Sequence, residues 1–205
     1  MSDGVSLTTF LKICSMQSTG RKISEIDKLA NRNGGHDYYN GVKKIAPALA
    51  QEQFGISDVP KKLAYISRQS QRQRNEDRVK QFMKWWKKQI PSPTFLSPPS
   101  YNKSPKDCSF ILRIKPEISY TFNGIKYTLH IWNTEAPKLN QTIAGIGIYT
   151  MIQYLRKGNF SDSKFQMIDL NNGKLFDESS VTNDIPTIFL ADMTLFNHIW
   201  ERVKL

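Results

Sequence analysis

Residues 110–132 read FILRIKPEISYTFNGIKYTLHIW, and the pairing of this stretch decides the fold. Apolar and polar residues alternate on both sides of Asn123-Gly124, a dipeptide that adopts the left-handed backbone of a two-residue hairpin turn at little steric cost. With that loop Phe122 faces Ile125, and paired residue numbers sum to 247 along the ladder. One face then carries Ile118, Tyr120, Phe122, Ile125, Tyr127, Leu129 and Ile131, which is a face to bury. The other carries Glu117, Ser119, Thr121, Lys126, Thr128, His130 and Trp132, with Glu117 directly opposite His130 and with Arg113 and Lys115 further along. Such a pair holds a metal, transfers a proton or forms a partly exposed ion pair on a solvent-facing side. The last is the expectation.

Downstream, residues 139–155 have a helical apolar period, with Ala144, Gly145 and Gly147 small enough to lie close on a sheet. Residues 165–170 read as a short strand, Asn172-Gly173 as a turn into 174–176, and 190–203 as a closing helix with Asp192 at its start. Asp169 begins the short hairpin. The C-terminal half is therefore α+β, roughly β-β-α-β-β-α. Gly145-x-Gly147-x-x-Thr150 is near a dinucleotide-binding fingerprint, but it lies inside a helix instead of opening one after a strand, and it reads as close packing.

Upstream the period is helical. A helix covers residues 5–14. Ile23, Ile26, Leu29 and Ala30 mark another, which Asn33-Gly34-Gly35 stops, with His36-Asp37 as turn and cap. Residues 38–54 form the next, kinked or split by Pro47 and ended by Gly55. Asp58 caps a helix through Leu63 and Ile66, with Pro60 in its first turn. Asn75 caps the last, where Glu76 and Asp77 suit the positive end of the helix dipole.

Between the halves lie Pro91, Pro93, Pro98, Pro99 and Pro105, half of the ten prolines, with serines at 92, 97, 100 and 104. This composition predicts an extended connector. Phe95, Leu96 and Tyr101 lay it along a surface. The organisation is a helical region over 1–90, a Pro/Ser-rich linker over 91–108 and an α+β domain over 109–205.

The chain has 205 residues and a formal charge of +11, and the charge is concentrated. Residues 1–60 carry a net +1 and residues 91–205 a net +2. The window 61–90 holds Lys61, Lys62, Arg68, Arg72, Arg74, Arg78, Lys80, Lys84, Lys87 and Lys88 against Glu76 and Asp77, a net +8. A segment this basic is solvated, or neutralised by phosphates, a membrane surface or an acidic protein. Val79, Phe82, Met83, Trp86 and Ile90 share one direction of the helix and form a core stripe. Trp85 projects about 100° away, beside Arg78 and Arg74. There it stacks on a base while its neighbours hold phosphates, or packs against the second domain or the linker.

Apolar residues at 39% and aromatics at 11% exclude a disordered chain. No apolar run approaches the ~20 residues that cross a bilayer, and the first twenty residues lack the basic start of a signal peptide. Cys14 and Cys108, far apart, fit a reducing cytoplasm and exclude a Cys-rich zinc module. There is no zinc-type Cys/His spacing, P-loop or nucleophile elbow. His198 and Glu201 read as a salt-linked surface pair on one helix face.

The run Lys115-Pro116-Glu117, a hairpin, a strand ending near Trp132, then Glu135-Ala-Pro-Lys138 and a helix with Gln141 resembles a degenerate PD-(D/E)XK nuclease core over residues 113–157. In that superfamily an acid after proline and an acid-x-Lys on the next strand bind magnesium and activate water. The resemblance implies Glu117, Glu135, Lys138 and the nearby His130 as catalytic candidates and magnesium as cofactor. Two departures stand against it. The second acid is spaced E-x-x-K, and the register puts Glu135 on the opposite face from Glu117 unless Pro116 or Pro137 supplies a bulge.

A broader likeness joins HDYYNGVKKI, the basic helix, RIKPEISYTFNGIKYTLHIW, MIDLNNGKLF and FNHIWERV. Together they resemble an uncharacterised family of prokaryotic proteins, which implies no activity but a bacterial source and a defence-like role. The leading expectation is a cytoplasmic nucleic-acid-binding protein without a cofactor, an accessory component of a larger complex. Its contacts come from Arg68, Arg72, Arg74, Arg78, Lys80, Lys84, Trp85, Lys87 and Lys88, with DNA and RNA both open. The alternatives are a divergent magnesium-dependent nuclease and an adaptor whose basic helix meets an acidic protein.

Overall fold

The Asn123-Gly124 turn forms as read, with φ of +49° at Asn123 and +76° at Gly124. In the computed structural model, which describes residues 4–31 and 40–204, β5 (Ile118–Phe122) and β6 (Ile125–Trp132) pair antiparallel from Phe122↔Ile125 to Ile118↔Leu129. The stop at Asn33-Gly34-Gly35, the His36-Asp37 cap and the helix start at 38–39 lie outside the described residues. Among the described residues four α-helices precede α5 (Gln69–Gln89): α1 (Leu7–Cys14), α2 (Thr19–Ala30), α3 (Asn40–Ala50) and α4 (Val59–Lys62). The other elements are β1 (Val5–Ser6), β2 (Thr94–Leu96), β3 (Tyr101–Lys103), β4 (Leu112–Ile114), α6 (Gln141–Leu155), β7 (Lys164–Asp169), β8 (Lys174–Phe176) and α7 (Ile185–Val203). The class is α+β, with helices in front and the larger sheet behind.

The larger sheet has the order β2-β5-β6-β7-β8, and the smaller β1-β4-β3. β7 runs parallel to β6, and α6 makes the crossover. Asn140 caps α6, accepting from Ile143 N–H at 2.9 Å. Gly145 and Gly147 have the packing role that the sequence indicates. A Cβ on Gly145 would run into the Ser180 carbonyl, and one on Gly147 would lie 2.5 Å from Met167 Sδ.

Period-two alternation sends the sheet's side chains into two separate cores. Ile118, Tyr120, Leu129, Ile131 and Ile168 pack with α3, α4 and α5. Trp132, Phe165, Met167 and Phe176 pack with α1, α2, α6, α7 and the small sheet. This corrects the expectation of a solvent-facing side: Ser119, Thr128 and His130 are all buried. Their polarity is absorbed locally, through Ser119 Oγ to Thr128 Oγ1 at 2.9 Å and Thr128 Oγ1 to Ser163 Oγ at 3.1 Å. Helix α6, apolar almost all round, carried the signal, because such a helix needs cover on both sides.

Between Pro93 and Pro105 the connector is largely extended, and it is hydrogen-bonded into both sheets. Phe95 pairs with Tyr120 through β2, and Asn102 with Arg113 through β3. The five prolines all fall outside these two strands, where a missing N–H costs no ladder bond.

Several helix starts differ from the sequence reading. Val5–Ser6 form strand β1, so the first helix begins only at Leu7. Asn75 is not a cap but a fully buried residue inside α5. Its Oδ1 accepts from Val42 N–H at 3.1 Å, and its Nδ2 donates to the Gln71 carbonyl at 2.9 Å, so it ties α3 to α5. α7 begins at Ile185, because Pro186 sits in the first turn, where proline is tolerated. Asp192 is therefore inside the helix, 3.8 Å from Lys22 Nζ. No described helix is long and apolar enough to cross a membrane.

Candidate nucleic-acid interface

Twenty-one residues of α5 bury one stripe and expose another. Val79, Phe82, Met83 and Trp86 are buried against the sheet, as their spacing requires. At 100° per residue Lys80, Lys84, Lys87 and Lys88 fall within about 100° of arc on the outer side and within about 12 Å along the axis. All four are exposed. Lys80 is held by Glu76 at 2.6 Å, and this hydrogen bond raises the lysine pKa above its ordinary value. Lys84, Lys87 and Lys88 make no ion pair with any described residue.

The arginines divide differently. Arg72 donates from Nε and Nη2 to the Ile66 carbonyl at 3.0 and 2.8 Å, closing the turn that leads into α5. Arg78 is only 15% exposed. It donates to the Leu170 carbonyl at 2.9 Å and to Asn171 Oδ1 at 2.5 Å, fastening α5 to the turn after β7. Both guanidiniums are thus engaged by the fold, whereas the sequence reading counts them among the phosphate contacts. Arg74 is 56% exposed and lies 3.7 Å from Glu135, a loose surface pair that a phosphate displaces at small cost. Arg68, at the head of the helix, is exposed. Trp85 is half-buried, its ring centroid 6.0 Å from Phe82 and 6.1 Å from Trp86. It lies on the same flank as Arg78, away from the lysines.

The nuclease-like residues are spread out. Glu117 and His130 meet as the register requires, with Oε2 3.0 Å from Nδ1, but both are nearly inaccessible, at 5% and 4% side-chain exposure. Glu117 N–H donates to the Leu129 carbonyl, although Ile118 is the residue paired with Leu129. Two residues thus face one in the manner of a β-bulge, at the Pro116 position the sequence marked. The turned carboxylate then accepts from Ile131 N–H at 2.7 Å. Burial pushes the Glu117 carboxyl up, but His130, Lys43 and the Ile131 N–H outweigh it and hold the group below its ordinary value. On its far side His130 Nε2 lies 3.0 Å from Thr8 Oγ1, so α1 is tied to β6. Thr8 is 122 residues away, and nothing in the sequence pointed to it.

Glu135 lies beyond the end of β6 and is 54% exposed beside Arg74 and Arg78. Lys138 is exposed in the same loop. The two carboxylates therefore engage different partners, one in a core and one at the surface. Among the described residues no group of three His, Cys, Asp or Glu side chains is placed to hold a metal. Glu201 departs from the expected His198 pair. It accepts from Ser109 Oγ at 2.7 Å and Asn197 Nδ2 at 3.0 Å, which hold its carboxyl below the ordinary value. No protein-family model and no curated protein matches the chain.

Proposed function

We propose that this chain binds nucleic acid through the outer face of α5, as an accessory component of a larger assembly. Three exposed lysines, Lys84, Lys87 and Lys88, which have no carboxylate partner among the described residues, carry the reading. A cluster of unpaired ammonium groups repels itself in the free protein and gains from every phosphate it meets. Lys80 continues the face toward the head of the helix, with Arg74 on the neighbouring flank and Arg68 at the N-cap. They are exposed, and the pairs that Arg74 and Lys80 make are surface pairs of small worth. The buried stripe of α5, with Arg72 and Arg78, gives that face a rigid backing. Contacts of this kind read charge and strand geometry, with no base-edge discrimination of their own.

The test is an anisotropy titration of labelled DNA and RNA across salt. Four or five neutralised phosphates give a slope of log K against log salt of about −3 to −5. A flat salt dependence, or no binding, refutes the proposal. The nuclease reading has a separate signature: magnesium-dependent cleavage that Glu117→Gln abolishes.

A further inference from the structure

Beside the lysine face the C-terminal turn of α5 opens onto a groove of about 790 Å³, closed on its other sides by the end of α3 and by the chain entering β2. Its floor is aromatic and apolar, with Phe54, Met83, Trp86 and Phe95. Lys87 stands on its rim, and Lys62, outside the lining, has its Nζ 5.2 Å from the centre of the Phe54 ring. Two residues of the lining hold a left-handed backbone without being glycine, Glu52 at φ +57° and Ser92 at φ +52°. Glu52 occupies the position after α3 where glycine is usual, with Gln53 N–H bonded to the Ala48 carbonyl at 3.1 Å. Such backbone strain collects at functional sites. Here it brings a carboxylate and a hydroxyl to the edge of an apolar slot.

We propose that this groove receives an unpaired base, so that the ligand of the α5 face is single-stranded nucleic acid. This rests on the function proposed above and names the substrate class of that site. The occupant follows from charge and shape together. A base has an apolar face for the Phe54–Phe95 floor and N–H donors for the Glu52 carboxylate. Its phosphates stay outside on Lys84, Lys87 and Lys88. Aromatic floors with cationic borders bind single strands in this way because every base has a face to stack. A duplex keeps its bases stacked inside, and it meets the lysines alone.

The experiment compares a labelled 12-nucleotide single strand with its duplex, using the parent, Phe54→Ala and Ile56→Glu. Ile56 lines the groove at 49% exposure, so its replacement leaves the core intact even if Phe54→Ala does not fold. The expected result is preference for the single strand, quenching of tryptophan emission on binding, and a loss of about 10-fold in single-strand affinity in each folded variant. Duplex affinity should fall by no more than the single added charge of Ile56→Glu allows. Equal binding of both forms, or unchanged single-strand binding in Ile56→Glu, overturns the base pocket and leaves the phosphate-binding reading standing. Binding of neither form overturns both. A dimer in light scattering that Ile56→Glu dissolves assigns the groove to a second copy and likewise overturns the proposal.

Discussion

Replacing Arg78 with alanine separates the fold's arginines from the ligand's lysines. The guanidinium donates to the Leu170 carbonyl at 2.9 Å and to Asn171 Oδ1 at 2.5 Å, from a side chain only 15% exposed. Hydrogen bonds from a charged donor contribute about 1.5–3 kcal/mol each, and two on one side chain are not additive, so the loss is about 3 kcal/mol. For a chain of this size that is a fall in melting temperature of about 6–12 °C. Thermal melting gives the first readout, and the salt slope of nucleic-acid binding by the folded variant gives the second. The slope should stay at the parent value, because Arg78 is already committed to the protein. Arg78→Lys keeps the charge without the two-pronged reach, and it should remain destabilised. A variant that melts with the parent while its slope drops by about 0.9 would make Arg78 a phosphate ligand and refute the division.

Other outcomes follow from the same contacts. Asn75→Ala leaves the Val42 N–H unpaired in a fully buried site and should cost about 2–4 kcal/mol in urea unfolding. Gly147→Ala puts a methyl against Met167 and Leu11 and should cost about 1–3 kcal/mol in the same assay. Glu117 has a folded pKa below its ordinary value, so the unfolded chain binds more protons as acid is added. Its stabilisation is present above the ordinary glutamate range and is lost as pH falls through the folded value. Glu117→Gln should therefore flatten the acid limb of stability against pH and leave the binding slope unchanged; a parallel acid limb would contradict the His130 pairing.

The hairpin, its register and the Glu117–His130 pairing were legible because Asn123-Gly124 fixes the turn and a period of two fixes the rest. The close approach of α6 was legible from Gly145 and Gly147. The burial of the hairpin's polar face was not. Ser119, Thr128 and His130 look solvent-facing in one dimension, and part of what takes up their polarity, Ser163 beside Thr128 and Thr8 beside His130, is distant in sequence. Asn75 misled for a related reason. Its cap-forming chemistry is used on a neighbouring helix, and local propensity cannot see Val42. Among the basic residues, charge alone made ten look alike. Which of them the fold had already engaged depended on the carbonyls of Ile66 and Leu170, and main-chain atoms leave no trace in side-chain pattern.

The central claim, that the lysines of α5 hold phosphates, is tested most directly by one salt series on the parent and on a Lys84→Gln, Lys87→Gln, Lys88→Gln variant. The parent slope should be about −3 to −5, reduced in magnitude in the variant by about 2.7 on duplex DNA and about 2.1 on a single strand, with melting temperature unchanged. A variant that binds with the parent's slope, or a parent that binds neither form, would contradict it.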